Sequence, residues 1–401
     1  MPYTDDTADL NSDQILLKQE AHWFAAEVMR PTAAALDDLR PEEVIASGSP
    51  LWNFLRTAYK TGHHLRSFPP QLGGAGLGPL ESHVVAEEMG WGNSGLSVSL
   101  GVTSMPFRFA AMSGNPDLMR EIVMPFVEDT EARYIGCWAG TEPNHGSDLI
   151  LNYPNAHLDC SAYKDGDEWV IQGQKSSWVS NGTIATHALA FLNVKPEMGM
   201  AGTGIAVVPL TLPGVTKGPP LNKLGQRPLN QGEIFFDDVR IPAHYMLVEP
   251  PHAMGGIENI MAGANAGMST NFSGVARAAF EEALSYTQSR MQGGVPISSH
   301  QLVQKRLFDM FMRVNAAHAL SRKANLRLQS GQPTVHYSMA AKVFCTRTAF
   351  DVASDASELF GGMGMVKGVL VEALMRDARA ALIEDGSNDT LSIAGARQLL
   401  D

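Results

Sequence analysis

Cysteine is scarce in this chain, with three in 401 residues, at positions 137, 160 and 345. An odd number at such wide spacing excludes a disulfide framework and the usual zinc patterns, and it points to a reducing cytoplasm. The twelve histidines form no HExxH-type motif, so no metal is expected. No stretch reaches the roughly 18 apolar residues of a membrane span. The first residues, MPYTDDTADLNSDQ, are acidic and polar, unlike a secretory or mitochondrial leader. Positive charge is also short: 30 Lys and Arg stand against 42 Asp and Glu, a net of −12. That balance excludes a broad surface for nucleic acid or anionic membrane, while leaving room for one small basic pocket for a phosphorylated ligand.

What is present is a soluble-type composition, 44% hydrophobic and 18% charged, long enough for two or three domains. Residues 1–129 read as helical, as in ILLKQEAHWFAAEVMRPTAAALDD, where apolar positions recur at helical spacing. From 130 to 246 the pattern changes to short β-rich runs, among them EWVIQGQKSSWVSNG, HALAFLNV, GIAVVPL and EIFFDDVRIP. Gly, Pro, Asn and Asp divide them, which predicts an antiparallel barrel or sandwich. Residues 247–401 return to long amphipathic helices, one of them closing at the glycine pair 361–362. There is no internal repeat.

Four stretches carry possible chemistry. QLGGAGLGPL (71–80) lacks GxGxxG spacing and a preceding strand, so it reads as a turn. WAGTEPNHGSD (138–148) collects Thr141, His145, Ser147 and two acids in one loop, where hydroxyls and backbone N–H groups can hold a polar ring or phosphate, or simply form a polar surface loop. GQKSSWVSNG (173–182) sets Trp178 beside Ser180. A strand tryptophan is ordinarily core, but the same apolar face could flank a flat cofactor. Finally, RDARAALIEDGSNDT (376–390) carries two adjacent acids, Glu384 and Asp385, before Gly386, either as solvated turn residues or with one as a positioned base.

These stretches, with KLGQRPLNQGEIFFDDVRIP and LFGGMGM, occur in an order that resembles the acyl-CoA dehydrogenases, over nearly the whole chain. The resemblance implies an α+β fold: an N-terminal helical domain, a middle antiparallel β domain and a C-terminal four-helix bundle. It implies FAD as cofactor and a homo-oligomer, a tetramer or dimer, with flavin shared across a subunit interface. By position, Trp138, Thr141 and Ser147 would line the flavin, Ser147 also serving substrate. Trp178 and Ser180 would pack on and bond to its ring system. Arg290 and Gln301 would reach FAD from a neighbouring subunit. Glu358, Gly361 and Gly362 take the family's Gln-x-x-Gly-Gly place, and Ser387 and Asp389 follow the catalytic turn. Glu358 stands where the family often has Gln, and Gly293 where it often has Phe.

The resemblance also separates the two acids. Counted from Arg376-Asp377-Ala378-Arg379, the family's catalytic Glu falls on Asp385, and Glu384 falls where Tyr is common. A base there would remove the proton next to a thioester carbonyl while flavin accepts hydride from the β-carbon. Asp is shorter than Glu by about 1.5 Å of reach, and a misplacement of about 1 Å can cost on the order of 100-fold in rate. On the substrate-side helix the family's Asp and Arg are replaced by Ala262 and Asn265. The position where some members keep their base is Ala264. The implied substrate is therefore an atypical acyl-CoA, cyclic or branched, lying against Ser147, Asn265 and Gly386, with an electron-accepting flavoprotein or oxygen as partner. The alternatives are a nitroalkane oxidase-like or desulfinase-like reaction on the same scaffold, and a non-catalytic flavin-binding protein.

Overall fold

A computed structural model describes residues 7–400 apart from 152, 154, 329 and 331–334. The chain runs helices, then sheet, then helices. The chief N-terminal helices are α1 (Ser12–Phe24), α2 (Pro50–Lys60), α3 (Pro79–Gly92), α4 (Ser94–Thr103) and α5 (Met105–Met112). Asn11 opens α1 with a capping box, its side chain accepting from Gln14 N–H while the Gln14 side chain accepts from Asn11 N–H.

Eight strands follow: β1 (Gly136–Ala139), β2 (Ser161–Asp165), β3 (Glu168–Ser180), β4 (His187–Asn193), β5 (Thr203–Pro209), β6 (Val215–Lys217), β7 (Gln231–Pro242) and β8 (Met246–Val248). Their order is β6-β7-β3-β2-β4-β5-β8, with β1 also beside β4. The sheet is mixed rather than wholly antiparallel. β1 pairs parallel to β4 from Gly136↔His187 to Ala139↔Ala190, and β2 joins β4 in parallel at Ser161↔Asn193. Because β5 pairs along the whole of β4 on its other side, β1 and β2 are two pieces of one strand line. The chain leaves that line after Ala139 and is back on it at Ser161. β4 is buried along its full length, consistent with its nearly unbroken apolar run.

The C-terminal helices are α6 (Ala253–Ser289), α7 (Gln301–Leu328), α8 (Val335–Phe360), α9 (Leu370–Ala381) and α10 (Asn388–Leu400). α6 is the axis, packed against α8, α3 and α7, and α10 lies on α8. The small residues of α6 permit close approach. A Cβ on Gly274 would stand 2.1 Å from Glu87 O, and one on Gly90 would stand 2.0 Å from Asn271 O. Neither position tolerates a side chain without the helices separating.

Arg376 and Asp377 join the three regions. Arg376 pairs with Asp37 at 2.6 Å and with Glu372 at 2.7 Å, and donates to Leu224 O. Asp377 accepts from Gln226 N–H and from Asn93. A second joint links α1, α3, α6 and α7. Glu88 meets Lys18, His22 and Arg277, while Glu87 accepts from Ser273 at 2.6 Å and from His318 at 2.9 Å. His83, Glu87 and His318 bring ligand-type atoms within 4.8 Å of one another. The charge of Glu87 is nevertheless answered by His318, which it holds protonated to higher pH than usual, and by Arg277. The cluster is accounted for as an ion-pair network rather than a cation site.

Candidate active site

The loop 140–151 is held to β3 by two fully buried charges. Glu142 accepts from Lys175 at 2.6 Å and from the N–H groups of Asp159 and Cys160 at 2.5 and 3.1 Å. Ser176 N–H donates to Thr141 O at 2.9 Å, which sets Thr141 beside the upper part of β3. The pair is strong because both charges are out of water and the carboxylate is saturated with donors. His145 sits further along the same loop, bonded to Asp148 at 2.8 Å. Trp138, at the base of the loop, is half-buried and stacked on Phe191 with centroids 5.2 Å apart.

β3 carries an irregularity against β7 between Lys175 and Val179. There Trp178 turns outward and is 59% exposed, so it is not the core residue that strand tryptophans usually are. Ser180 Oγ accepts from Gln231 at 3.2 Å. The next residue, Asn181, is buried in the left-handed region (φ 63°) and bonds Ser99, Thr103 and Gly136. That staple fixes the end of β3 to α4 and β1.

The turn after α9 approaches the same loop. Ser147 Oγ lies 3.5 Å from Ser387 N–H, and a Cβ on Gly386 would stand 2.5 Å from Ile150 Cδ1. Ile150 in turn bridges two apolar groups, one with Ile260 and Met261 of α6, the other with Met339 and Leu391 of α8 and α10. Loop, turn and the start of α6 thus converge. Asp385 and Gly386 are both left-handed, φ 50° and 96°. Asp tolerates that region better than most residues, and Gly tolerates it freely. Ser387 caps α10, its Oγ accepting from Thr390 N–H at 3.2 Å, and Asp389 is exposed in the first turn of that helix.

The two acids differ in their tethers. Glu384 Oε2 accepts from Gln226 Nε2 at 2.9 Å, and burial raises its pKa to about 7 against the pull of Gln226 and Lys223. Asp385 makes no hydrogen bond among the described residues. Solvent reaches it, yet protein surrounds it closely enough that lost hydration raises its pKa above the usual carboxylate value, with Lys342 opposing.

The remaining positions lie on the bundle helices and their connections. Asn265 is wholly buried, and its Nδ2 donates back to Met261 O at 2.8 Å. Arg290 caps α6 in the open, Gln301 begins α7, and Glu358, Gly361 and Gly362 are exposed at the end of α8. Glu358 pairs with Arg306 of α7 at 2.6 Å, and Tyr286 stacks on Phe360, so these residues share one end of the bundle. Sequence reasoning missed Glu142 with Lys175, Gln226 and Lys342. For Lys342 a signal existed, a lone lysine among small and apolar residues in SMAAKVFC.

Comparison with known proteins gives a consistent result. The models for the acyl-CoA dehydrogenase N-terminal, middle and C-terminal domains match residues 11–129, 137–239 and 255–400. The probable acyl-CoA dehydrogenase YngJ of Bacillus subtilis is 29% identical over 98% of this chain and 99% of its own. The mitochondrial short-chain specific acyl-CoA dehydrogenase of Bos taurus is 27% identical over 98% of this chain and 92% of its own. Butyryl-CoA dehydrogenase from Megasphaera elsdenii superimposes with a TM-score of 0.87 at 25% identity, covering 98% of this chain and 99% of that one. The same score and identity hold for a chain described as electron transferring flavoprotein of Acidaminococcus fermentans, covering 98% of each.

Proposed function

Since the chain belongs to the acyl-CoA dehydrogenase family and is an FAD-dependent oxidoreductase, we propose that it dehydrogenates an acyl-CoA thioester of cyclic or branched type, with Asp385 as the base. The observation that carries this reading is the carboxylate of Asp385: on a turn, reached by solvent, without a hydrogen bond among the described residues, and with its pKa raised by the protein packed around it. A base without a fixed donor can take the α-proton without first breaking a bond. Glu384, held by Gln226, lacks that freedom. The shorter reach of Asp suits an α-carbon set closer to the turn than in a straight chain.

The residues fit FAD. The outward Trp178 offers an uncovered apolar face, and Thr141 and Ser180 add polar groups beside it. Bound flavin supplies hydride acceptance at the β-carbon. Trp138, Thr141, Ser147, Trp178 and Ser180 would hold its ring side. Arg290, Gln301, Glu358, Gly361 and Gly362, at the bundle end, would serve the phosphate and adenine side of a neighbouring subunit's FAD. A homotetramer is the assembly this division favours, and the exposed Leu302, Phe308, Met312 and Met365 supply apolar area for it. The acceptor would be an electron-transferring flavoprotein, in the cytoplasm.

The test is anaerobic flavin reduction by butyryl-, isobutyryl- and cyclohexanecarbonyl-CoA. Asp385→Asn should keep its FAD and bind acyl-CoA, while reduction slows by about 100-fold or more. Reduction at the wild-type rate would remove Asp385 as the base.

A further inference from the structure

Lys342 is fully buried within α8, among Met339, Ala341, Cys345 and Thr346. A lysine in such surroundings is costly unless its ammonium is used. Nζ donates to Gly386 O at 2.8 Å and to Asn388 Oδ1 at 2.9 Å. Asn388 Nδ2 then donates to Thr346 Oγ1 at 3.0 Å, and Thr346 Oγ1 donates to Lys342 O at 2.8 Å. The ring of bonds closes on α8 and grips the chain on both sides of Ser387. Two of the three ammonium hydrogens are so used, and the third has no acceptor among the described residues.

The charged groups around this point are few. Asp385 and Glu384 face Lys342 from the turn. Lys223 faces Glu384 from the loop before β7, with Asp377 and Arg227 beyond it. Lys342 is the cation that acts on Asp385, opposite in sign to the neighbouring Glu384. Burial lowers the Lys342 pKa to about 8 against the two carboxylates, so the ammonium keeps its charge below that pH.

We propose that Lys342 is a positioning residue for proton abstraction: its ammonium fixes the turn that carries Asp385 and keeps a positive charge near a carboxylate that has no hydrogen bond among the described residues. The turn needs such a clamp because Asp385 and Gly386 are both left-handed and end no regular element by themselves. The charge replaces the hydrogen bond that would otherwise hold the carboxylate ionised but obstruct its approach to a proton. Lys342 exchanges no proton with substrate. The role rests on Asp385 being the base.

The experiment uses the holoenzyme and three variants. Lys342→Met removes charge and donors, Lys342→Gln keeps a donor without charge, and Lys342→Arg keeps the charge. Infrared difference spectra follow the protonated carboxyl C=O stretch of Asp385, assigned by its loss in Asp385→Asn, through a pH titration without substrate. In Lys342→Met and Lys342→Gln the protonated band should persist to higher pH than in wild type, and Lys342→Arg should restore the wild-type position. Flavin reduction by the acyl-CoA that reduces wild type best should slow about tenfold or more in the uncharged variants on the acid side. FAD content and circular dichroism report folding, and if Lys342→Met does not fold, Lys342→Gln carries the comparison. An Asp385 titration unmoved in folded, uncharged variants would overturn the inference. Full activity of Asp385→Asn would instead overturn the base assignment and leave the titration result standing.

Discussion

Replacing Glu384 by glutamine should stabilise the protein in alkaline solution and change little in acid. The Glu384 carboxyl has a pKa of about 7 in the fold against an ordinary 4.5, chiefly because burial strips its hydration. The folded state therefore binds more protons than the unfolded chain between those values, and wild-type stability falls as pH rises through that window. At full strength the difference is on the order of 3 kcal/mol. Lys223 and Asp385 share the titration and the Gln226 amide bonds the charged form, so about 2 kcal/mol is the working figure. Spread over the unfolding entropy of a chain this long, that is about 2–3 °C in Tm. Glutamine keeps an acceptor for Gln226 and carries no charge at any pH. Differential scanning fluorimetry of the FAD-loaded protein should show the variant melting higher than wild type at about pH 8.5, with the gap closed at about pH 5. An equal offset at both pH values, or a lower Tm in alkali, would show that Glu384 is not held against its charge. The same variant should reduce its flavin within a few-fold of wild type, because the tethered acid is not the one that takes the proton.

Two more outcomes concern the cofactor residues. Trp178→Ala should bring the protein through gel filtration with less FAD than wild type, since an uncovered indole face is removed; unchanged retention would return Trp178 to the status of an incidental surface residue. Light scattering should find a tetramer, and Arg290→Ala should loosen FAD without dissociating it, because a guanidinium is lost from the phosphate side; a monomer with full flavin content would refute the shared site.

The order of helices, sheet and helices was legible because periodicity is local. So was the turn at Asp385, marked by the Asp-Gly pair 385–386, and Arg376-Asp377, from which the resemblance counts to it, proves to be the joint where Asp37, Leu224 and Gln226 meet. What could not be read were pairings between distant residues. Nothing in spacing links Glu142 to Lys175, or Lys342 to Gly386. The parallel pairs of the sheet were hidden for the same reason, because strand direction depends on where a loop returns. Asn265 is a further case: its Nδ2 donates back to Met261 O on its own helix, while its buried Oδ1 has no partner among the described residues, and neither fact is written in the spacing.

The interruption between β1 and β2 has a consequence for how such a protein can change over time. Both pieces are registered on β4, so the length of the segment between them does not set the register of anything else. Doubling such a loop costs only about 0.6 kcal/mol in closure entropy. Glu142 ties both its ends, through Lys175 on β3 and through the N–H groups of Asp159 and Cys160 where the segment closes. Changes of length between Ile150, which packs on α6, α8 and α10, and Asp159 would therefore alter the segment beside Gly386 with no shift in strand register.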